Sequence, residues 1–181
     1  LESAGKPDHT SSYWDSGNAS GLYVEPEDET LFNQKRSPGD IEDYLNDFDL
    51  TVPVSPELAA TSSATPLGAI GIALSGAPIF NDSEGTGDVS IGVIQGFDRN
   101  GAHTGPQTYH YHLEPKAWSD DDEELIGIIA DGFFLYGRKC NATGTYPTDL
   151  DASGGHTSTT QHTTTAEYHY HIENELYLNA Y

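Results

Sequence analysis

The chain has 181 residues and a mass of 19.6 kDa, enough for one domain with its own core. It carries 29 Asp and Glu against 7 Lys and Arg, a net charge of −22 at pH 7. That argues against nucleic acid as a partner, because phosphates would be repelled, and no apolar run approaches the roughly 18 residues of a membrane span.

Residues 1–45 form an acidic, polar stretch rich in Ser, Gly and Pro. Alone, such a segment does not offset its ordering entropy, so it is expected to dock on its own domain or on a second copy. Its anchors would be Tyr13, Trp14, Leu22, Tyr23, Val24 and Phe32. Self-association through this arm, by addition to a neighbour's sheet edge, is the partner expectation. Ser37-Pro38 followed by Ile41, Tyr44, Leu45 and Phe48 predicts a short helix, with Ser as N-cap and Pro at its first position.

Residues 46–181 turn to strand patterns. FDLTVPV alternates with period two. GAIGIALSGAPIFN, VSIGVIQGF, TYHYHL, LIGIIADGFFLYG and EYHYHIENELYLNAY are rich in β-branched and aromatic residues, separated by Gly, Asn, Asp and Ser. The fold class is all-β, a sandwich or barrel-like domain.

Self-similarity is the strongest signal. IGIALSGAPIF (Ile70 to Phe80) matches IGIIADGFFLY (Ile126 to Tyr136). DRNGAH, ending at His103, matches DASGGH, ending at His156. YHYH then occurs at Tyr109 to His112 and at Tyr168 to His171. Two related halves, about 66–112 and 122–171, would pack around a pseudo-twofold axis. These paired blocks together resemble the YHYH family, over about residues 48–181 and not over the first 45. The resemblance implies a secreted, His-rich domain and no settled activity. The chain departs from such domains in having fewer cysteines near its C-terminal end.

In a strand, residues i and i+2 share a face. His110 and His112 therefore point one way and Tyr109 and Tyr111 the other, and His169 and His171 oppose Tyr168 and Tyr170. With His103 and His156 at the preceding turn ends, six of the 8 histidines are placed symmetrically. Neutral imidazoles suit transition metals, and an all-imidazole set fits Cu or Zn by softness. Spacing leaves open one shared site or two equivalent ones, and also a packed strand pair with no metal. Asp131, matching Ser75, is a candidate to orient an imidazole through its outer nitrogen, or simply a turn residue. The tyrosines are expected to fill the core behind the imidazoles.

Asp149, Asp151 and Ser153 before Gly154 match the first half of a calcium loop. Thr160 in place of Glu at the twelfth position rejects an EF-hand, leaving a looser oxygen site or an Asp/Gly turn. Asp120 to Glu124 is expected to be a solvated acidic loop. Cys140 is alone, so no internal disulfide forms, and no nucleophile elbow or phosphate loop is present. Sequons at Asn18, Asn81 and Asn141, together with the absence of Met, suggest a processed, secreted and glycosylated chain at the cell surface or outside it. The function expected is a secreted metal-binding domain with a structural or interaction role in an extracellular assembly. The alternatives are a copper or zinc enzyme, or a glycan or small-molecule binding module.

Overall fold

A computed structural model describes residues 1–17, 19–25, 41–43, 47–85, 87–105 and 108–172. In chain order the elements are β1 (Glu2–Ser3), a 3-10 turn (Ile41–Asp43), β2 (Phe48–Asp49), β3 (Ala69–Ala73), β4 (Pro78–Phe80), β5 (Ser83–Glu84) and β6 (Gly87–Asp88). They continue with α1 (Ile91–Ile94), β7 (Ala102–Thr104), β8 (Tyr109–Tyr111), β9 (Leu125–Ile129), β10 (Phe134–Tyr136), β11 (Gly155–Ser158) and β12 (Glu167–His171). Among the described residues no helix is long and apolar enough to cross a membrane.

The two Ile-Gly-Ile segments become β3 and β9, which pair antiparallel at the centre of an eight-stranded sheet. Ile72 stands opposite Ile128, Gly71 opposite Ile129 and Ala73 opposite Gly127. Ile72 thus faces its own repeat partner, Gly71 and Ala73 each face the partner of the other, and the pseudo-dyad passes through the Ile72–Ile128 pair. The glycines are there because the backbones come close. A Cβ on Gly71 would lie 2.7 Å from the Ile128 carbonyl oxygen, and one on Gly127 would lie 2.2 Å from that of Ile72. The two hairpin turns also repeat: Gly76 (φ 93°) and Gly132 (φ 94°) supply the left-handed residue at equivalent places.

From this centre the sheet grows outward symmetrically, in the order β11-β12-β10-β9-β3-β4-β8-β7. β4 meets β8 in parallel, and β10 meets β12 in parallel. The sheet is mostly antiparallel with open edges at β7 and β11, sandwich-like and not a closed barrel. Its tyrosine face holds the main core: Ile70, Ile79, Ile126, Leu135, Tyr109, Tyr111 and Tyr170 are buried there together with Tyr13 and Trp14. The tyrosines do sit behind the imidazoles, on the opposite side of the sheet.

The described part of the N-terminal segment packs on its own chain. β1 pairs with β2, and Ser11 bridges to Tyr23. The Tyr13 hydroxyl donates to the Gly96 carbonyl, the Ser11 hydroxyl donates to Asp98, and His9 Nε2 lies 2.6 Å from the Tyr111 hydroxyl. Of the anchors expected from sequence, Tyr13 and Trp14 are buried, Leu22 and Tyr23 are partly buried, and Val24 is exposed. Phe32 lies outside the described residues.

Two local expectations change. The helix expected around residues 37–48 is a 3-10 turn at Ile41–Asp43, while Phe48 pairs with Ser3 in the β1–β2 ladder; residues 37–40 and 44–46 lie outside the described residues. The VSIGVIQGF segment contains α1 rather than a strand. Its apolar residues Val89, Val93, Ile94 and Phe97 follow helical spacing and form a small second core with Leu113.

Candidate metal centres

The β7–β8 hairpin places His103 directly opposite His110, and the period-two pleat sets His112 beside His110 on the same face. Their Nε2 atoms converge. His110 Nε2 lies 3.1 Å from His103 Nε2 and 3.0 Å from His112 Nε2. From the neighbouring β5 hairpin, Glu84 brings a carboxylate oxygen 3.1 Å from His112 Nε2 and 3.5 Å from His103 Nε2. Phe80 stacks on the His110 ring at 3.8 Å, and Phe97, carried by the turn after α1, stacks parallel to His112 at 5.3 Å. All three histidines are buried, while Glu84 is partly exposed.

The outer nitrogens explain the aim of the rings. His112 Nδ1 donates to the Asn81 carbonyl at 2.7 Å and His110 Nδ1 to the Thr108 carbonyl at 3.2 Å. A carbonyl can only accept, so in the neutral rings the proton sits on Nδ1 and Nε2 presents a bare lone pair. Two such lone pairs 3.0 Å apart repel unless a cation lies between them. Ligand nitrogens around one tetrahedral ion are about 3.3 Å apart, close to the spacings here.

The second half repeats this construction. His156 stands opposite His169 in the β11–β12 ladder. His169 Nε2 and His171 Nε2 are 3.0 Å apart; His169 Nδ1 donates to the Glu167 carbonyl at 2.9 Å and His171 Nδ1 to the Gly137 carbonyl at 2.6 Å. His156 Nδ1 donates to Asp149 at 2.9 Å, and its Nε2 is 3.2 Å from the Ser158 hydroxyl. The Cys140 sulfur, also buried, lies 3.2 Å from that same hydroxyl. Cys140, His156 and His171 offer ligand atoms that all lie within 4.8 Å of one another, as do Glu84, His103, His110 and His112.

Burial, followed by the neighbouring imidazoles, pushes His110 well below its ordinary value. Burial likewise lowers His169, and takes His171 down to about 4. These rings are therefore neutral near pH 7. When the His103 and His112 rings are protonated and donate to it, they hold Glu84 well below the usual carboxylate range, against the upward push of its partial burial.

The six histidines named from the sequence fall in two groups rather than one: His103, His110 and His112 gather with Glu84, and His156 and His171 gather with Cys140, with His169 beside His171. β8 and β12 lie on either side of the four central strands, so the groups are on the order of 24 Å apart at roughly 4.8 Å per strand spacing. A single shared site is thereby excluded. The reason is the dyad itself: it pairs β3 with β9 and sends both YHYH strands outward.

Other candidates fall elsewhere. Asp131 meets no imidazole in the contacts described. Its carboxylate accepts from the Tyr170 hydroxyl at 2.5 Å and from the Phe133 amide, as Ser75 meets the Tyr111 hydroxyl. Asp149 serves His156, and Asp151 accepts from the Ser153 and Gly155 amides and the Tyr168 hydroxyl. These oxygens, and Ser153 beside them, form an Asp/Gly turn. It matches the first-half turn, where Asp98 accepts from the Asn100 and Ala102 amides and from Tyr109. Asn81 is buried, and its amide donates to Thr65 and to the Pro66 carbonyl, so the folded chain cannot carry a glycan there. Asn141 is exposed, and Asn18 lies outside the described residues.

Glu84 and Cys140 were missed as ligand candidates, Cys140 having been set aside as a lone thiol. The signal was present. Phe80 matches Tyr136 and Asn81 matches Gly137, and the same shift carried three residues further aligns Glu84 with Cys140.

A family model described as "YHYH protein" matches residues 49–148, more than half of the chain. The match includes the whole first cluster and Cys140, and stops before His156. Comparison with curated proteins and with solved structures gives no match. The duplicated strands and their paired histidine clusters belong, on this match, to a member of the YHYH family.

Proposed function

We propose that this chain is an extracellular metal-binding domain that holds two transition-metal ions, copper or zinc, one in each half, in a structural or interaction role. One observation carries the reading: in both halves two imidazoles, each donating its Nδ1–H to a backbone carbonyl, turn bare Nε2 lone pairs toward each other at 3.0 Å. A bound cation relieves that repulsion and gives the buried polar tips a partner. In the first half three imidazoles and Glu84 make four protein donors, a closed shell of the structural kind. An ion there would tie the edge hairpin β7–β8 to the β5–β6 hairpin. The exposed sequon at Asn141 supports the extracellular setting.

Elemental analysis of the purified full chain, before and after reconstitution with Cu(II) or Zn(II), tests this reading. About two equivalents are expected in the wild type. His110→Ala and His169→Ala are each expected to lose about one equivalent and leave the other, because the sites are separate. Retention of less than about a tenth of an equivalent of any transition metal after reconstitution overturns the proposal.

A further inference from the structure

The two clusters are built on equivalent histidines but differ in the donor that is not an imidazole. Glu84 and Cys140 occupy the same place in the repeat, three residues past the carbonyl that holds the second YHYH histidine. One offers a carboxylate oxygen and the other a sulfur. We infer that the halves have diverged in ion preference: the Cys140 cluster takes a soft, thiophilic ion of the Cu(I) class through a thiolate bond, and the Glu84 cluster takes a divalent ion of the Zn(II) class. This inference rests on the metal-binding reading above and goes further in assigning a different ion to each site.

Ligand chemistry and burial point the same way. Thiolates suit Cu(I) and zinc alike, while imidazole with carboxylate suits zinc and offers Cu(I) no soft donor, so with both ions present the one sulfur site is left to Cu(I). Charge then discriminates further. A thiolate with Cu(I) is neutral overall, which suits a site whose cysteine is only 1 % exposed. A carboxylate with a divalent ion keeps one net positive charge, and the Glu84 side chain is 35 % exposed, so water can solvate it. The Ser158 hydroxyl between Cys140 and His156 is no obstacle. It already lies 3.3 Å from the Thr159 carbonyl and can donate there, which releases His156 Nε2 and the sulfur to the ion.

The chain contains a single cysteine, so sulfur bound to a metal within one chain can only be Cys140. The metal-free full chain is loaded anaerobically with one equivalent each of Cu(I) and Zn(II), and X-ray absorption is recorded at both metal edges. The expected result is sulfur scattering at the copper edge and only nitrogen and oxygen neighbours at the zinc edge. Cys140→Ser is expected to lower Cu(I) affinity by at least about a hundredfold, more than changes beyond the ligand shell cause, and to leave zinc in place; Glu84→Gln should weaken zinc and spare copper. Two bound ions with no sulfur at either edge, or sulfur at the zinc edge, overturn the divergence while leaving the metal-binding reading intact. Failure of the wild type to retain either ion overturns both. The wild-type spectra decide the matter even where a variant fails to fold.

Discussion

The two halves share one sheet geometry and differ in what covers it. Over the first half, the N-terminal segment closes the tyrosine face: His9 lies against the Tyr109, Tyr111 and Trp118 rings, and Ser11 reaches Asp98. Over the second half, residues 57–66 border a cavity of about 470 Å³, floored by Phe133, Tyr168 and Tyr170. The same turn aspartate is accordingly buried as Asp98 and exposed as Asp151. Duplication therefore set the framework and the imidazoles, while the covering segments, which are not duplicated, set burial and local electrostatics separately in each half.

The sharpest way to break this comparison is to remove one covering side chain from each half. Tyr13→Ala deletes a buried ring and its bond to Gly96, at an expected cost of about 3–5 kcal/mol in urea unfolding. Leu58→Ala, at an exposed side chain bordering the second-half cavity, is expected to change stability by no more than about 0.5 kcal/mol. Comparable losses would mean that the two covers contribute alike.

Next in size is the dyad. Gly127→Ala drives a methyl group into the Ile72 carbonyl, and Gly71→Ala drives one into the Ile128 carbonyl. Each is expected to destabilise by about 1–3 kcal/mol, with Gly127→Ala the worse because its approach is the closer and also meets the Ala73 Cα. A neutral effect at either glycine contradicts the close backbone pairing on the axis.

The smallest effect is read through pH. Burial pushes the Asp98 carboxyl up in the folded chain. Its contribution to stability is therefore full below about pH 4, the unfolded carboxylate range, and declines as pH rises through the folded value. Asp151 goes the other way. Against the push of its slight burial, the Ser153 amide, the Tyr168 hydroxyl and the Gly155 amide hold it down, so its contribution is present above about pH 4 and is lost as pH falls through its folded value. With chelator present, the stability of wild type minus Asp98→Asn should fall as pH rises from about 4. The stability of wild type minus Asp151→Asn should fall as pH drops from about 5 toward 3. Slopes of the same sign would show that burial does not separate the two turns.

The repeat and the alternation of the YHYH blocks were legible because both are local in sequence: a pleat puts His110 and His112 on one face wherever the strand goes. The destination of that strand was not legible. Sheet order depends on which strands meet across the axis, and only the Ile72–Ile128 pairing sends the histidine strands to opposite flanks. Asn81 was misleading for a related reason. Its sequon is intact in sequence, yet the loop at Thr65 and Pro66 folds over and consumes the amide. The helical turn α1 was obscured by its β-branched composition, although the spacing of Val89, Val93, Ile94 and Phe97 carried the helical period.

The cover of the first half also has a consequence in time. His9 meets Tyr111 across 102 residues of sequence, and Ser11 meets Asp98 across 87. Contacts of such long range slow folding, because a large loop must close before they form. During synthesis at about 5–20 residues per second, the arm emerges several seconds before its seat exists. The last strand of the first half is thus the event that lets His9 and Ser11, made well before it, settle, and until it emerges the arm has no complete seat.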